Sequence, residues 1–338
     1  MVVLKSVPDY DPENIRKALA GSVEPHIKPG QKVLLKPNLL GPFTAKSCAV
    51  THPEVIRAVI RLVRKAGGVP TVGESPGIGS VHRFAKISGA QKVLDEEKVQ
   101  LLDLKTPIEV DHPQGKRFKR FTLARELNDF DVLINLPKFK THQLTGITGA
   151  VKNLFGCVPG IVKSRYHFKI QKPAEFVEML NDLADLISPK LTIMDAIWAM
   201  DGAGPTAGQP YHLKTLGIGT NCRAMDQAML KLIEGLPDFK KVEEPRDDMY
   251  HLPFPFLEKY LKRFTSERPV IDRSSCTNCS SCVAVCAAGA LNRSTTAPSF
   301  DYDKCIRCYC CQEFCPEHAV KIKKNWLFDR IFNLLSRF

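Results

Sequence analysis

Cysteine is concentrated in the C-terminal quarter of this sequence, in two runs of identical spacing. The stretches CTNCSSCVAVC and CIRCYCCQEFCP both follow the pattern C-x2-C-x2-C-x3-C. The cysteines in this spacing are Cys276, Cys279, Cys282, Cys286, Cys305, Cys308, Cys311 and Cys315. The chain has twelve cysteines and no pattern of a secretory signal, and this combination favours metal binding over disulfides. We therefore predict a metal-binding domain in this part of the chain.

The two runs are halves of one internal repeat with an offset of 29 residues, so that Pro269 corresponds to Pro298 and Asp272 to Asp301. Three thiolates at this spacing can surround one iron–sulfur cube, whereas the fourth lies too far along the chain to close the same cube. A zinc ribbon is the alternative, but it has two C-x2-C knuckles separated by a long spacer. The pattern resembles bacterial ferredoxins with two 4Fe–4S clusters, in which the fourth cysteine ligates the other cluster.

This resemblance implies two ligand sets by position. One 4Fe–4S cluster takes Cys276, Cys279, Cys282 and Cys315, and the other takes Cys305, Cys308, Cys311 and Cys286. Such clusters are one-electron carriers of low potential, so the resemblance also implies electron transfer. The sequence departs from the ferredoxin pattern at Ala287, which stands where proline usually follows the fourth cysteine. Cys310 is an additional thiol, which we interpret as a bystander.

Residues 1 to about 260 alternate between strand-like and helix-like segments. Strands are expected at 33–36, 69–72, 99–104, 131–136, 190–195 and 213–219. Helices are expected at 173–187, at 223–235, and between a THPE capping box at 51–54 and the glycines at 67–68. Strand, helix and strand in succession form a β-α-β unit with parallel strands.

The expected fold class is α/β, with an open, mostly parallel sheet that has helices on both faces, followed by an α+β ferredoxin-like two-cluster domain. We expect the α/β domain at 1–262, the ferredoxin-type domain at 263–322 and an amphipathic helix at 323–338.

Polar and charged residues follow five of the expected strands, and open α/β sheets bind ligands at the carboxyl ends of their strands. The residues predicted to bind a ligand there are Lys36, Asn38, Glu74, Ser75, Lys138, Lys140, Lys152, Asn153, Asp201 and Gly202. In INLPKFKTHQ, the side chains of Lys138, Lys140 and His142 fall on one face of an extended chain. The lysines would bind carboxylate or phosphate groups. The candidate catalytic residues are His142, as a proton donor, Lys138 and Asp195.

Six stretches of the N-terminal part resemble an uncharacterised family, the domain of unknown function 362, fused to a two-cluster ferredoxin module. These stretches are LLKPN, THPEVIRAVIRLVRKAGG, VGESPG, INLPKFKTH, TGAVKNLFG and MDAIWAMDGAGPTAGQP. Family members often have aspartate where Glu74 stands and glutamate where Asp201 stands, and both exchanges keep the charge. The resemblance implies an α/β domain in cytoplasmic iron–sulfur proteins and no particular activity.

The formal net charge of +12 favours acidic partners. Two functions remain open. The first is a ferredoxin-linked oxidoreductase that passes electrons through two 4Fe–4S clusters to an anionic small molecule or cofactor. The second is a non-catalytic electron-transfer or ligand-sensing module that docks a partner protein. Both imply a redox partner protein or a small electron donor.

Two other partners are weaker expectations. A flavin would provide the two-electron step that most reductions need, but the sequence has no flavin fingerprint. Nucleic acid ranks below both functions, because the basic residues are spread along the chain and are not interleaved with stacking aromatics.

The C-terminal stretch KIKKNWLFDRIFNLLSRF has apolar residues at helical spacing and several basic residues. It is either a helix packed on the protein's own core or a helix that contacts a membrane surface or a partner. No apolar run approaches the roughly 18 residues of a membrane span, and the N-terminus lacks a signal-peptide pattern. We therefore expect a cytoplasmic protein.

Overall fold

The structure is a computed structural model, and it describes residues 1–241 and 267–323. The chain divides into two compact units, Met1–Glu244 and Pro245–Phe338.

The strands of the first unit are β1 (Val2–Ser6), β2 (Lys32–Pro37), β3 (Val69–Glu74), β4 (Leu101–Asp103), β5 (Pro107–Asp111), β6 (Arg120–Ala124), β7 (Val132–Leu136), β8 (Lys138–His142), β9 (Gly146–Thr148), β10 (Leu191–Asp201), β11 (Gln209–Tyr211) and β12 (Thr215–Gly219). Its α-helices are α1 (Pro12–Leu19), α2 (Pro53–Lys65), α3 (Val81–Ser88), α4 (Ala90–Glu96), α5 (Ala150–Asn153), α6 (Gly160–Lys169), α7 (Pro173–Ile187) and α8 (Cys222–Glu234). Short 3-10 helices lie at Glu24–His26, Ala45–Ser47, Arg125–Asp129 and Leu154–Cys157.

Ten strands of this unit form one sheet with the central order β1-β12-β10-β7-β2-β3-β4. The strands from β10 to β4 are parallel to one another, and β8 also runs parallel to β10. The strands β12 and β1 are antiparallel, and they complete one edge. The strands β5 and β6 form a separate hairpin. The sequence-based expectation of an open, mostly parallel sheet is confirmed.

Apolar side chains cover both faces of the sheet. On one face, Val59 of α2 packs with Leu35 of β2 in the larger core. On the other face, Phe176 of α7 and Met225 of α8 pack with Met194 of β10 in a second core. Helices on both faces explain why the central strands read as nearly continuous apolar runs.

One local expectation was wrong. The N-cap of α2 is His52, not Thr51, because the His52 Nδ1 accepts a hydrogen bond from the Glu54 N–H at 3.2 Å. The Thr51 hydroxyl instead donates to the Leu136 carbonyl at 2.7 Å, which ties the start of α2 to the end of β7. The basic stretch after Leu136 is extended, and the chain continues past one proline as the buried strand β8.

In the second unit the described elements are β13 (Arg268–Ile271), α9 (Ser281–Val285), β14 (Leu291–Asn292), β15 (Ser299–Phe300), α10 (Cys310–Glu313) and β16 (Val320–Lys323). The 29-residue repeat is visible in the backbone. Asn278 and its counterpart Arg307 have φ values of 53° and 56°, and Ser280 and Tyr309 have values of 60° and 57°. The strand β13 of the first half pairs with β16 of the second, and β14 pairs with β15. The two halves are therefore interleaved.

The amphipathic helix expected at 323–338 lies outside the described residues, apart from Lys323 at the end of β16. Among the described residues, no helix combines the length and the apolar composition that crossing a membrane requires.

Candidate functional site

Lys36 and Glu74 form a buried ion pair at the carboxyl ends of the adjacent strands β2 and β3. Lys36 is fully buried, and its Nζ lies 2.6 Å from the Glu74 Oε2. The same carboxylate accepts hydrogen bonds from the backbone N–H groups of Leu39 at 3.2 Å and Ser75 at 2.8 Å. A buried charge is tolerated when it is paired and hydrogen-bonded in this way. The sheet register therefore brings together Lys36, Glu74 and Ser75, which the sequence had predicted as ligand-binding residues.

The segment after β9 packs against this ion pair. The Asn153 Nδ2 donates to the Lys36 carbonyl at 3.1 Å. A Cβ atom at Gly156 would overlap the Lys36 ammonium and the carboxylate paired with it, so glycine permits this close approach. On the next helix, the Lys163 ammonium donates to the Ser75 carbonyl. Asn153 thus joins the Lys36 group, while Lys152 lies partly buried on α5.

Lys138 belongs to a second buried group. Its Nζ lies 2.9 Å from the Asp195 Oδ2 and 2.8 Å from the Tyr10 hydroxyl oxygen, and the Tyr10 hydroxyl donates to the Asp195 Oδ1 at 2.8 Å. The His52 backbone N–H also donates to Asp195, at 2.9 Å. The His52 ring stacks on the Tyr10 ring with centroids 3.6 Å apart. Burial, followed by the Asp195 charge, raises the pKa of Tyr10, so this phenol is neutral.

Lys140 and His142 continue along β8 and are also buried. The Lys140 Nζ donates to the Ala49 carbonyl at 2.7 Å and to the Asn38 Oδ1 at 3.4 Å. The His142 Nδ1 accepts from two backbone N–H groups of the following turn, at 3.0 Å and 3.3 Å. The predicted alternation along β8 therefore exists, but its three polar side chains lie inside the protein.

The predicted residues Asp201 and Gly202 are not part of these groups by contact. The Asp201 Oδ2 accepts from the Lys240 N–H at 3.1 Å, and the Gly202 N–H donates to the Lys240 carbonyl at 2.7 Å. Met200 lies in the larger core, so the next side chain along the strand points to the other face. The residues that the sequence predicts to bind a ligand thus lie on both faces of the sheet.

Sequence reasoning missed Tyr10 and Asn135. Tyr10 lies 185 positions from Asp195, and no local pattern connects them. Asn135 is the second residue of INLPKFKTHQ, and its Nδ2 donates to the Ala150 carbonyl at 2.9 Å while its Oδ1 accepts from Asn153 at 2.8 Å. A polar residue inside a buried strand was the signal that could have identified Asn135.

His52 makes stability depend on pH. Burial lowers its pKa to about 4, with Asp195 raising and Lys138 lowering the value. The unfolded chain takes up the proton near the ordinary value of about 6.5, so wild-type stability is fully present above that pH and is lost as the pH falls towards 4. We expect His52→Gln to reduce this loss in the free energy of unfolding by at most about 3 kcal/mol. The measurement is urea denaturation at pH values of about 6.5 and about 4. The control is His82→Gln at an exposed position, and equal slopes for wild type and His52→Gln would contradict the expectation.

In the second unit, a cavity is lined by cysteines from both repeats. These cysteines are Cys276, Cys279, Cys282 and Cys315. Burial, followed by the charges of Cys315, Cys279 and Cys276, raises the pKa of Cys282 to about 11, and a backbone hydrogen bond from Val283 opposes this rise.

The remaining cysteines of the repeat are also close to one another. Burial raises the pKa of Cys305, and the charges of Cys308 and Cys286 add to that effect. The fourth cysteine of each run accepts an equivalent backbone hydrogen bond, from Ala290 to the Cys286 Sγ and from Ala319 to the Cys315 Sγ, both at 3.2 Å. Four thiols around one cavity fit the ligand requirement of a 4Fe–4S cluster.

Comparison with known proteins also divides the chain into two parts. The sequence profile of the domain of unknown function 362 (DUF362) matches residues 33–231. This chain belongs to the DUF362 family. In addition to its DUF362 domain, the chain matches the 4Fe-4S dicluster domain at residues 268–316. This DUF362 protein is therefore an iron–sulfur protein with a ferredoxin-type electron-transfer domain, and the resemblance seen in the sequence is confirmed.

Relatives match the chain over different lengths. The DUF362 protein is 38% identical over 216 residues to the thylakoid-associated protein sll1697 of Synechocystis sp., a match that covers 63% of this chain and 66% of the relative. Over 58 residues it is 32% identical to the pyruvate synthase subunit PorD of Methanothermobacter marburgensis, which covers 17% of this chain and 68% of the subunit. The chain thus spans about two thirds of the length of these relatives. Among solved structures, the lactate racemase apoprotein from Thermoanaerobacterium thermosaccharolyticum matches with a TM-score of 0.46 and 11% identity, over 69% of this chain and 56% of that one.

Proposed function

We propose that this protein is an iron–sulfur oxidoreductase that delivers electrons to an anionic small molecule or cofactor bound by the DUF362 domain. The observation that carries this proposal is the burial of three lysines, Lys36, Lys138 and Lys140, at the carboxyl ends of β2 and on β8. Burying an ammonium group costs free energy unless partners stabilise it, so three buried lysines on these strands are more than a fold requires. The carboxyl ends of the strands are also where open α/β sheets bind ligands.

The cysteines would hold two 4Fe–4S clusters, in the ligand sets that the ferredoxin resemblance implies. Cys276, Cys279, Cys282 and Cys315 would ligate one, and Cys305, Cys308, Cys311 and Cys286 the other. The common cavity of the first set and the mutual electrostatic influence within the second support this assignment. When bound, each cluster supplies a low-potential one-electron carrier.

In the DUF362 domain, the buried lysines provide positive charge, and Glu74 and Asp195 hold two of them in fixed positions. Asn38 lies at 3.4 Å from the Lys140 Nζ, so it connects the end of β2 with β8. Lys152 and Asn153 would add a positive charge and a neutral hydrogen-bonding group. His142, Lys138 and Asp195 are the proposed catalytic residues, with His142 as the proton donor that accompanies electron delivery.

The second candidate is an electron-transfer or ligand-sensing module without turnover. It is favoured by the similarity of 58 residues of the chain to PorD, a protein described as one subunit of pyruvate synthase. In that function the redox partner would be another protein chain, and the lysines would serve docking or ligand sensing.

Anaerobic purification of the full chain, followed by mass spectrometry of released small molecules, tests the two candidates. The clusters are reduced with dithionite, the reductant is removed, and the released fraction is added back while visible absorbance is recorded. We expect repeated reoxidation, slowed at least about tenfold in His142→Gln with unchanged iron content. A released molecule that binds without reoxidising the clusters would overturn the oxidoreductase proposal in favour of the module.

A further inference from the structure

Each cysteine run carries a hydrogen-bonding side chain two residues after its second cysteine. In the first run this residue is Ser281, and the Cys279 Sγ lies 3.4 Å from its Oγ. In the second run the residue at the same place of the 29-residue repeat is Cys310. The Cys310 side chain forms a hydrogen bond with the side chain of Cys308, which corresponds to Cys279. The same contact is therefore present in both halves, once with a hydroxyl and once with a thiol.

The fold places the two side chains alike. Ser281 and Cys310 are the first residues of α9 and α10. The residues before them, Ser280 and Tyr309, both have the left-handed backbone conformation, with φ values of 60° and 57°. Ser281 lines the cavity that also contains Cys279 and the other three cysteines of that set, and Cys310 is 3% exposed. Both side chains are thus held beside one expected cluster ligand.

The direction of the first hydrogen bond depends on the proton of Cys279. In the structure, the Cys279 thiol donates to the Ser281 hydroxyl oxygen. A cysteine that ligates iron is a thiolate, which has no proton and can only accept. The Ser281 hydroxyl would then be the donor, because a hydroxyl can donate as well as accept. Towards a thiolate at Cys308, the Cys310 thiol would donate in the same way, although S–H is a weaker donor than O–H.

We propose that Ser281 and Cys310 each donate a hydrogen bond to the sulfur of the second ligand in their run, and thereby raise the reduction potentials of the two clusters. One-electron reduction adds a negative charge to a cluster, and hydrogen bonds to the ligand sulfurs stabilise that charge. Cys310 would therefore tune a cluster rather than be a bystander. This inference rests on the proposed function, because it requires the two clusters and the ligand sets assigned there.

A redox titration of the full, anaerobically purified chain, followed by electron paramagnetic resonance, tests the inference. We expect Ser281→Ala to lower one of the two midpoint potentials. At the wild-type midpoint, the ratio of reduced to oxidised cluster should fall about three- to tenfold, which is the effect of one hydrogen bond of ordinary net strength. A tenfold change corresponds to about 59 mV for one electron. Cys310→Ala should lower the other midpoint potential by a smaller factor, and Cys310→Ser should raise that potential above the Cys310→Ala value.

Two further variants separate the hydrogen bond from the loss of a side chain. Ser281→Thr keeps the hydroxyl, so the ratio of reduced to oxidised cluster should stay within about twofold of wild type. The matched control is Ser275→Ala, next to Cys276 in the sequence. It removes a hydroxyl that donates to the Asp272 Oδ2 at 3.0 Å instead of to a sulfur, so neither potential should move.

Iron and acid-labile sulfide content separates tuning from ligation, and every variant should keep the wild-type content. If the variants keep their iron and neither potential moves, or if Ser281→Ala and Cys310→Ala move the same potential, the inference is overturned. Iron loss in Ser281→Ala would leave the Cys310 variants to decide, because they act on the other cluster. A wild-type chain without two clusters would instead contradict the cluster assignment of the proposed function.

Discussion

Asp195→Asn should lower the free energy of unfolding of the DUF362 domain by about 3–5 kcal/mol. The Asp195 carboxylate is fully buried and accepts hydrogen bonds from the Lys138 Nζ, the Tyr10 hydroxyl and the His52 N–H. Asparagine has nearly the same volume but no charge, so the buried Lys138 ammonium would lose its counter-charge. The amide would also turn an N–H2 group towards donors at one of the two carboxylate positions.

A second substitution distinguishes loss of the charge pair from loss of packing. Removing both charges of a buried pair is often nearly neutral, so Asp195→Asn combined with Lys138→Met should recover more than half of the stability lost in Asp195→Asn. Urea denaturation followed by tryptophan fluorescence in a Trp326→Phe background reports on this region through Trp198, whose backbone N–H donates to the Tyr10 hydroxyl at 3.3 Å. The double-mutant cycle then gives the coupling free energy of the pair.

The control pair lies on the surface. Arg120 and Asp111 form an ion pair at 2.6 Å with side chains 64% and 65% exposed, and breaking it should change stability by at most about 1 kcal/mol. If Asp195→Asn is no more destabilising than Asp111→Asn, water must reach Lys138 and the ion pair cannot be part of a dry site.

The sheet and its covering helices could be predicted from the sequence because their signals are local. The apolar positions of α2 recur with helical spacing, and β2 is apolar on both faces. The residue pattern of each element therefore predicts which of its faces are buried. β8 could not be predicted as a buried strand, because lysine and histidine at alternate positions are typical of a solvated face. Its burial depends on pairing with β10 and β9, which is a tertiary effect.

The residues of the candidate site also differ in whether a local pattern or a tertiary contact determines their position. Lys36 and Glu74 were predicted because each ends a recognisable strand and parallel strands align their carboxyl ends. Tyr10 was missed because it precedes α1 in a loop, and only the folded chain brings that loop to Asp195 within β10. Asp201 was expected in a loop after a strand that ends near Asp195, but β10 continues to that residue. In each case the error concerns a contact or a strand length that the local pattern does not determine.

Removing two cysteines should have opposite consequences for a pair taken from both repeats and a pair taken from one repeat. If Cys315 ligates the same cluster as Cys276, the double variant Cys276→Ala/Cys315→Ala loses only that cluster and keeps about half of roughly eight irons per chain. Cys305→Ala/Cys315→Ala would remove a ligand from each cluster and should keep almost no iron. The measurements are iron and acid-labile sulfide per chain after anaerobic purification.

The interleaved strands are the physical reason to expect this crossed arrangement. Because β13 pairs with β16 and β14 with β15, the fourth cysteine of each repeat lies on the return path towards the other half. Cys310→Ala is the matched control for loss of a buried thiol in the second run, and it should retain the full iron content. If Cys305→Ala/Cys315→Ala keeps half of the iron and Cys276→Ala/Cys315→Ala keeps none, each run ligates its own cluster and the crossed assignment is wrong. Crossed ligation would make each cluster a link between the two halves, so losing either one should also loosen the strand pairs that join them.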